Sequence, residues 1–189
     1  NSANLKTGDT VVVIGVGGVG LNAIAGARLA GASHIIAIDN QPAKEQLARK
    51  FGATDFVNSG ERDAVAAVKE ILPRGADHAF EVIGLPVTTE LAVQLVRPGG
   101  SAYLVGLHRP GQTFPVAGLD VIVRQVEVKG VFMGSSNIKH DIPMYADLYL
   151  QGRFNLDDLI SREVNISEIN EAYEDLKHGA IARSVITSF

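Results

Sequence analysis

A short β-branched run, Thr10 to Gly15, leads into a turn with glycines at positions 15, 17, 18 and 20. Such a run is typical of a strand buried on both faces of a parallel sheet. The residues from about Val19 to Gly31 then predict a helix, with Gly31 near its C-terminal end. Strand, tight turn and helix in this order indicate the first unit of a parallel α/β sheet.

The alternation of strand and helix patterns continues through the first two thirds of the chain. Further strands are predicted at 34–39, 55–58, 77–84, 101–107 and 126–133. Further helices are predicted at 42–53, 62–72 and 86–96, and an apolar segment lies near 118–125. Repeated alternation with short glycine-bearing turns predicts an α/β fold: a doubly wound parallel sheet in a three-layer α/β/α arrangement.

The last third of the chain has a different pattern. Helices are predicted at 142–154 and 168–179, and a final strand at 182–189. We therefore divide the chain into a sheet domain, 1–135, and a C-terminal segment of helices and one strand, 136–189.

Composition limits the partners and the location that can be expected. With 46% hydrophobic and 20% charged residues, the 189-residue chain can bury one sizeable core. A net charge of −4 without a Lys/Arg cluster argues against nucleic acid. No apolar segment approaches the roughly 20 residues of a membrane-spanning helix, so we expect a cytoplasmic location and no membrane partner. Cysteine is absent, which excludes disulfides and thiolate metal sites within this chain.

Gly15, Gly17 and Gly20 form a G-x-G-x-x-G pattern between the predicted strand and helix. In a dinucleotide-binding turn, the first glycine makes the tight turn, the second lets the backbone approach a pyrophosphate, and the third lets the helix pack against the strand. The helix N-terminus then presents unpaired N–H groups and a partial positive charge to the phosphates. The alternative is that these glycines serve packing alone.

The predicted second strand ends at Asp39, nineteen residues after Gly20. A carboxylate at this position can accept hydrogen bonds from the hydroxyls of an adenosine ribose. It would repel a 2′-phosphate, and the neighbouring Asn40 and Gln41 offer no arginine to bind one. NAD is therefore predicted rather than NADP. The alternative is a helix-capping or turn aspartate.

With the glycine turn and Asp39 in place, the chain resembles the coenzyme-binding half of the zinc-dependent medium-chain alcohol dehydrogenases. The resemblance extends over nearly the whole chain. The stretches that carry the resemblance are GDTVVVIGVGGVGL, GASHIIAIDNQPAK, FGATDFVN, FEVIG, LVGL, VKGVFMG and INEAYEDLKHGAIARSVITSF. The resemblance implies a Rossmann domain over 1–135 that binds NAD(H) and supports hydride transfer between an alcohol or aldehyde and NAD. It also implies that 136–189 pack toward the catalytic domain of the parent protein.

The resemblance implies roles at the adenosine half of the cofactor. The backbone from 16 to 19 would wrap the pyrophosphate, and Asp39 and Lys44 would bind the adenosine ribose. Ile83 and Gly84 would line the adenosine side. The alternative for Lys44 is an ordinary solvated helix lysine.

At the nicotinamide half, the resemblance implies contacts from the ends of later strands. Backbone groups of Val105, Val131 and Met133 would hydrogen-bond the carboxamide. Gly106 and Leu107 would lie beside the ring.

One charged contact completes the implied site, and a second is missing. Arg183 would return to the pyrophosphate, its alternative being a surface charge beside the final strand. Some family members carry an arginine directly after EVIG, and Leu85 stands there in this chain, which puts one cofactor contact in doubt. The complete predicted cofactor-binding set is Gly15, Val16, Gly17, Gly18, Val19, Gly20, Asp39, Asn40, Lys44, Val82, Ile83, Gly84, Val105, Gly106, Leu107, Val131, Phe132, Met133 and Arg183.

Members of this family use a catalytic zinc, which lowers the pKa of a bound alcohol so that the alkoxide can pass hydride to the nicotinamide. The resemblance places the zinc ligands and the proton relay mostly upstream of this chain. The histidines at 34, 78, 108, 140 and 178 show neither H-x-x-x-H nor H-x-x-H spacing. We therefore expect no metal site and no catalytic residue here, and zinc only in the parent's catalytic domain. The start at Asn1 rather than at Met fits an excised domain that is inactive alone.

Several other functions remain open from the sequence. The chain could be a non-catalytic NAD-binding or oligomerisation module, or part of a zinc-free quinone reductase relative, although Asp39 opposes the NADPH that this branch commonly prefers. A methyltransferase that uses S-adenosylmethionine also has a glycine loop, but does not need the EVIG and LVGL strand ends. Tyr173 and Lys177 have the Y-x-x-x-K spacing of short-chain dehydrogenases, but the glycine turn lacks that group's T-G-x-x-x-G-x-G form.

A homodimer is a further prediction, made by resemblance. The segment 114–132 could present an edge strand for pairing across a two-fold axis. The alternative is an ordinary amphipathic connection.

Overall fold

The computed structural model describes residues 1–177 and 183–189, and a six-stranded sheet forms its centre. The strands are β1 (Thr10–Ile14), β2 (His34–Asp39), β3 (Asp55–Asn58), β4 (Ala76–Glu81), β5 (Val96–Leu104) and β6 (Glu127–Gly130). They lie in the order β3-β2-β1-β4-β5-β6, and every neighbouring pair is parallel. The order changes direction between β1 and β4, and sheets of this kind bind ligands outside the carboxyl ends of the strands at such a point. The predicted doubly wound sheet is confirmed.

Helices cover both faces of the sheet. They are α1 (Gly18–Ala30), α2 (Glu45–Phe51), α3 (Ala64–Ile71), α4 (Pro86–Leu95) and α5 (Gly118–Arg124). Successive residues of a strand point to opposite faces, so β1 contributes to two cores. Val11 packs with Leu21 of α1 and Phe51 of α2, whereas Val12 packs on the other face with Val68 of α3 and with α4. The predicted three layers are therefore present.

The described part of the C-terminal segment contains further helices and a second, two-stranded sheet, and it contacts the helices of the six-stranded sheet. Its elements are α6 (Ile138–Leu150), β7 (Arg162–Asn165), α7 (Ile169–Lys177) and β8 (Ser184–Ser188), and β7 and β8 form a two-stranded parallel sheet. Leu159 is buried in the core shared by α1 and α2, and Lys50 forms a 2.6 Å ion pair with Asp158. The end of the predicted helix 168–179, the first residue of the predicted strand 182–189, and His178 lie outside the described residues.

Three predicted strands extend too far at their carboxyl ends. β4, β5 and β6 each stop three residues before the predicted boundary, and the residues that follow form loops. The backbone carbonyl of Glu81 accepts the N–H of Val105 as the last bond of the β4–β5 ladder, and it also accepts the N–H of Gly106, so the ladder ends there. Gly84 has a φ of 88°, which is incompatible with a strand. The candidate site residues at these positions therefore lie in loops.

Two elements begin earlier than predicted. β5 begins at Val96, the last residue of the predicted helix 86–96, because this residue pairs with Ala76 before a register shift that contains a proline-glycine stretch. α6 begins at Ile138, four residues before the predicted start. The carboxylate of Asp141 accepts the N–H of Asn137 at 3.0 Å and so stabilises a first turn that the sequence pattern does not reveal.

Asp77 anchors the amino end of the sheet. Its carboxylate accepts hydrogen bonds from the N–H and hydroxyl of Thr10 at 2.8 and 2.7 Å, and forms a 2.6 Å ion pair with Arg97. Burial alone would raise the pKa of Asp77, but the hydrogen bonds from Thr10 and the charge of Arg97 outweigh it and lower the pKa below its ordinary 3.8. A lowered folded-state pKa stabilises the fold above the ordinary pKa, and this contribution disappears as the pH falls through the lower value.

We expect Asp77→Asn to lower the free energy of unfolding by about 1 to 3 kcal/mol at neutral pH, because hydrogen bonds to a charged group are lost. The difference in the free energy of unfolding between the wild type and the variant should shrink as the pH falls below about 4, where the wild-type carboxylate begins to protonate. Urea denaturation at pH 7 and at pH 3 measures it, with the exposed Glu61→Gln as a control. A difference that stays constant between the two pH values would contradict the assignment.

Candidate cofactor site at the carboxyl ends of the strands

The glycine turn after β1 brings the start of α1 close against the strand end. Gly15 has a φ of 101° and donates its N–H to the carbonyl of Ile38 at 2.8 Å. Gly20 faces this turn so closely that a Cβ at position 20 would overlap the carbonyl oxygen of Gly15. Glycine at both positions is therefore required by the protein's own packing, as the motif predicts for its first and third members.

The second glycine of the motif has a different environment. Gly17 is the N-cap of α1, with a φ of −97°, and a Cβ built there would meet no atom within 4 Å. No described side chain caps α1, and its first turn contains no acidic residue. The first N–H groups of a helix lack intrahelical acceptors and carry a partial positive charge. Open space and unpaired donors thus meet at the position where the motif predicts a pyrophosphate.

Asp39, the last residue of β2, is buried beside this turn, with 8% of its surface exposed. Its Oδ2 accepts the N–H of Val16 at 2.8 Å and pairs with Nζ of Lys44 at 3.0 Å. Its Oδ1 accepts the N–H of Gln41 at 3.1 Å, so the aspartate also has the turn contact considered as its alternative role. Asn40 is exposed next to it. The structure therefore brings the predicted ribose-binding pair together and fixes it to the glycine turn.

The loops after β4, β5 and β6 extend this edge of the sheet. They contain Val82–Gly84, Val105–Leu107 and Val131–Met133, and they lie side by side because their strands are neighbours. The N–H of Val131 donates to the carbonyl of Leu104 at 2.8 Å, which attaches the third loop to the end of β5. The structure therefore brings all three predicted strand-end groups to one edge of the sheet.

Several of these loop side chains are exposed. Leu107, Phe132 and Met133 are each about three quarters exposed, at 78%, 74% and 75%, and Ile83 is 46% exposed. Val19, at the start of α1, is 56% exposed. The edge of the sheet therefore offers an apolar surface beside the polar turn, as a site for a planar ring next to a pyrophosphate requires.

A groove of about 580 Å³ runs from this edge across the face of the sheet. Val19, Val82, Val105 and Val131 line it near the strand ends, and residues 1–5 and helix α6 line it farther away. Its lining is mostly apolar near the loops, which favours a ring rather than a phosphate at this end.

Glu81, the last residue of β4, was not identified from the sequence. It is fully buried, and its Oε1 accepts three hydrogen bonds of 2.8 Å, from the N–H groups of Ile83 and Gly84 and from the hydroxyl of Thr88. Its Oε2 is buried without a partner among the described residues. A charged residue directly after the apolar pair Ala79 and Phe80, within a predicted buried strand, was the available signal.

The remaining predicted residues lie elsewhere. Arg183 directly precedes β8, and its backbone carbonyl accepts the N–H groups of Ser161 and Arg162 at 2.8 and 3.4 Å. These contacts attach it to the two-stranded sheet, and a role at the pyrophosphate stays a prediction. Tyr173 is 60% exposed on α7.

The histidines of the described part have separate partners. The nearest polar partners of those at 34, 78, 108 and 140 are Asp55, Asp9, Thr89 and Asp141, in that order. Within residues 1–177 and 183–189, no group of three or more His, Asp and Glu side chains could hold a metal ion. In the same ranges, no helix has both the length and the apolar character needed to cross a bilayer.

Comparisons with known proteins bear on this arrangement. Residues 18–151 match the family model described as zinc-binding dehydrogenase. The chain is 38% identical over 188 residues to alcohol dehydrogenase-like 2 of Arabidopsis thaliana, and the match covers 97% of this chain and 48% of that protein.

Solved structures are similar over the same length. Benzyl alcohol dehydrogenase from Acinetobacter calcoaceticus has a TM-score of 0.96 and 33% identity, covering 100% of this chain and 52% of that chain. A protein from Sinorhizobium meliloti, solved with bound NADP, has a TM-score of 0.83 and 27% identity, covering 99% and 52%. The chain thus spans about half the length of the relatives it matches.

Proposed function

Since this chain belongs to the zinc-binding dehydrogenase family, we propose that it is the NAD(H)-binding part of an alcohol dehydrogenase. The observation that carries the proposal is the buried Asp39 carboxylate, held between the glycine turn and Lys44. When bound, the nicotinamide ring supplies the acceptor or donor of hydride for an alcohol or aldehyde. The residues of this chain bind and orient that cofactor.

The glycine turn fits a pyrophosphate. The open space at Gly17 lets phosphate oxygens approach the backbone, and the unpaired N–H groups at the start of α1 can donate to them. Asp39 uses three of its roughly four acceptor sites on Val16, Gln41 and Lys44, so at least one remains for a ribose hydroxyl.

The choice of NAD over NADP depends on charge. A 2′-phosphate at the adenosine ribose would approach the Asp39 carboxylate, whereas Lys44 offsets only part of that repulsion because it already pairs with the aspartate. One relative of this chain was solved with NADP, so membership of the family does not by itself select NAD. The proposal for NAD therefore rests on Asp39 of this chain.

The apolar strand-end loops would hold the nicotinamide. Backbone groups of Val105, Val131 and Met133 supply the hydrogen bonds proposed for its carboxamide. The exposed side chains of Leu107 and Met133 would exclude water from the ring.

No group of described side chains has the ligands for a catalytic zinc, and we assign no step of the reaction to a metal in this chain. We propose that the zinc ligands belong to the part of the relatives' length that this chain does not span. The C-terminal segment 136–189 would pack toward that part, which is supported by the exposed apolar side chains of Ile138, Ile142 and Leu150.

The enzymatic part of the proposal is tested with the 189-residue chain supplied with NAD, zinc and benzyl alcohol. We expect NAD binding without formation of NADH, and NADH formation only when the chain is expressed together with the remaining half of the parent polypeptide. Zinc-dependent turnover by the chain alone would contradict the division of roles. NAD binding with no activity in the complete polypeptide would favour a non-catalytic NAD-binding module.

A second copy of this chain is the partner that we propose for strand β6. This strand lies at the edge of the sheet, and all four of its residues are exposed. An antiparallel pair centred on Val128 would place Glu127 opposite Lys129 of the second copy, twice across the two-fold axis. Leu119 and Ile122 of α5, exposed at 76% and 74%, would add apolar area.

We expect Lys129→Glu to raise the dissociation constant of this dimer about tenfold, because two attractive cross-strand pairs become repulsive. A tenfold change corresponds to roughly 1.4 kcal/mol of binding free energy. The charge exchange Glu127→Lys with Lys129→Glu should restore the affinity. Sedimentation velocity over a range of concentrations measures both. A monomeric wild-type chain, or a double variant as weak as the single one, would contradict the proposed pairing.

A further inference from the structure

Glu81 lies at a buried position where an apolar side chain would ordinarily cost less free energy to bury. The side chain is fully buried at the end of β4, in a sheet whose buried residues are mostly aliphatic. Burying a carboxyl group is costly unless hydrogen bonds compensate for the lost hydration. Three neutral donors compensate at Oε1, whereas Oε2 has no partner among the described residues. The carboxyl group therefore lies here at a cost to stability.

Five donors converge on this one residue. The side chain accepts the N–H groups of the loop directly after β4 and the hydroxyl of Thr88 in α4. The backbone carbonyl accepts the N–H groups of Val105 and Gly106, at 2.8 and 3.0 Å, in the loop after β5. Glu81 therefore holds two loops and the first part of one helix through its own atoms.

The two loops also touch each other directly. A Cβ at Gly84 would overlap the backbone of Leu107, and a Cβ at Gly106 would overlap the N–H of Gly84. Since neither loop has room to move independently, a displacement of the first loop displaces the second. Glu81 sets the position of both.

We propose that Glu81 is a positioning residue that holds the adenosine-side loop, 82–84, and the nicotinamide-side loop, 105–107, in one relative arrangement. This inference rests on the proposed function, because those roles of the loops belong to it. The carboxyl group acts through the backbone of the two loops and does not touch the cofactor. Its loss should therefore affect a ligand that spans both loops more than one that contacts a single loop.

The test compares NADH, which spans both loops, with AMP, which contacts only the adenosine side. In Glu81→Leu we expect the dissociation constant of NADH to rise about tenfold more than that of AMP, because no acceptor remains for the three donors. Glu81→Gln keeps one acceptor oxygen, so the ratio of the two constants should stay within about threefold of the wild-type ratio. Fluorescence titration with NADH and calorimetric titration with AMP measure the ratio.

Two further variants keep the test decisive if the leucine variant does not fold. Thr88→Val removes one of the three donors and should raise the NADH-to-AMP ratio about twofold to threefold. Glu163→Leu, in the distant strand β7, replaces an exposed glutamate and should leave the ratio unchanged.

Failure of this inference can be told apart from failure of the proposed function. A wild-type chain that does not bind NADH would overturn both. A wild-type chain that binds NADH, together with leucine and valine variants of unchanged ratio, would overturn only the positioning role of Glu81. A purely structural role would lower the affinity for both ligands equally.

Discussion

Gly20→Ala is expected to destabilise the fold by about 2 to 3 kcal/mol, because the new methyl group would overlap the carbonyl oxygen of Gly15. Alanine is a better helix former than glycine, but this gain of about 1 kcal/mol does not offset the overlap of backbone atoms. The start of α1 would have to move away from β1, and the turn would open.

Gly17→Ala should behave in the opposite way. Its Cβ would meet no atom within 4 Å, and its φ of −97° suits any residue, so the loss of stability should be about 1 kcal/mol or less. The methyl group would occupy the space of the pyrophosphate, and NAD affinity should fall about tenfold or more. Urea denaturation and NADH titration of both variants separate packing from binding. A Gly17→Ala chain that binds NADH as the wild type does would contradict the placement of the pyrophosphate.

Asp39→Ala is expected to weaken NAD binding by about tenfold to a hundredfold, since hydrogen bonds to a charged group are each worth about 1.5 to 3 kcal/mol. NADP binding should change less or improve. The carboxylate that repels the 2′-phosphate is removed, and Lys44 loses the partner that holds it at 3.0 Å. The preference for NAD should therefore shrink or reverse.

The double variant Asp39→Ala with Lys44→Gln is the matched control. If the freed Lys44 attracts the 2′-phosphate, the double variant should bind NADP more weakly than the single variant does, at low salt especially. Equal NADP affinities would show that Lys44 does not reach the phosphate. An Asp39→Ala chain that keeps the wild-type preference for NAD would contradict the role of the aspartate.

The glycine turn and Asp39 could be predicted from the sequence because each has a fixed place in a local pattern. Gly15 and Gly20 are required by backbone geometry within six consecutive residues, and Asp39 ends the next strand. The doubly wound parallel sheet could also be predicted, since repeated strand and helix alternation allows few topologies.

The loop boundaries after β4 and β5 could not be predicted in the same way. The residues of VIG and LVGL are apolar and continue the strand pattern, but the carbonyl of Glu81 accepts the N–H of Gly106 in addition to the last ladder bond from Val105, and the ladder ends there. That contact joins residues far apart in sequence. The hydrogen-bonding role of the Glu81 side chain has a different explanation: its partners lie only two and three residues away, but they are backbone N–H groups, which every residue except proline carries.

Arg183 shows a different limit. Its role was inferred from resemblance, and its described contacts attach it to Ser161 and the two-stranded sheet. A long side chain before a short strand has no local pattern that fixes its direction, so its role at the pyrophosphate stays a prediction.

Isothermal titration calorimetry of the unmodified chain with NAD and with NADP tests the central claim most directly. The proposal predicts one NAD site per chain and an affinity for NAD at least about tenfold higher than for NADP, as expected for a buried carboxylate at the ribose. Absence of NAD binding, or tighter binding of NADP, would contradict it.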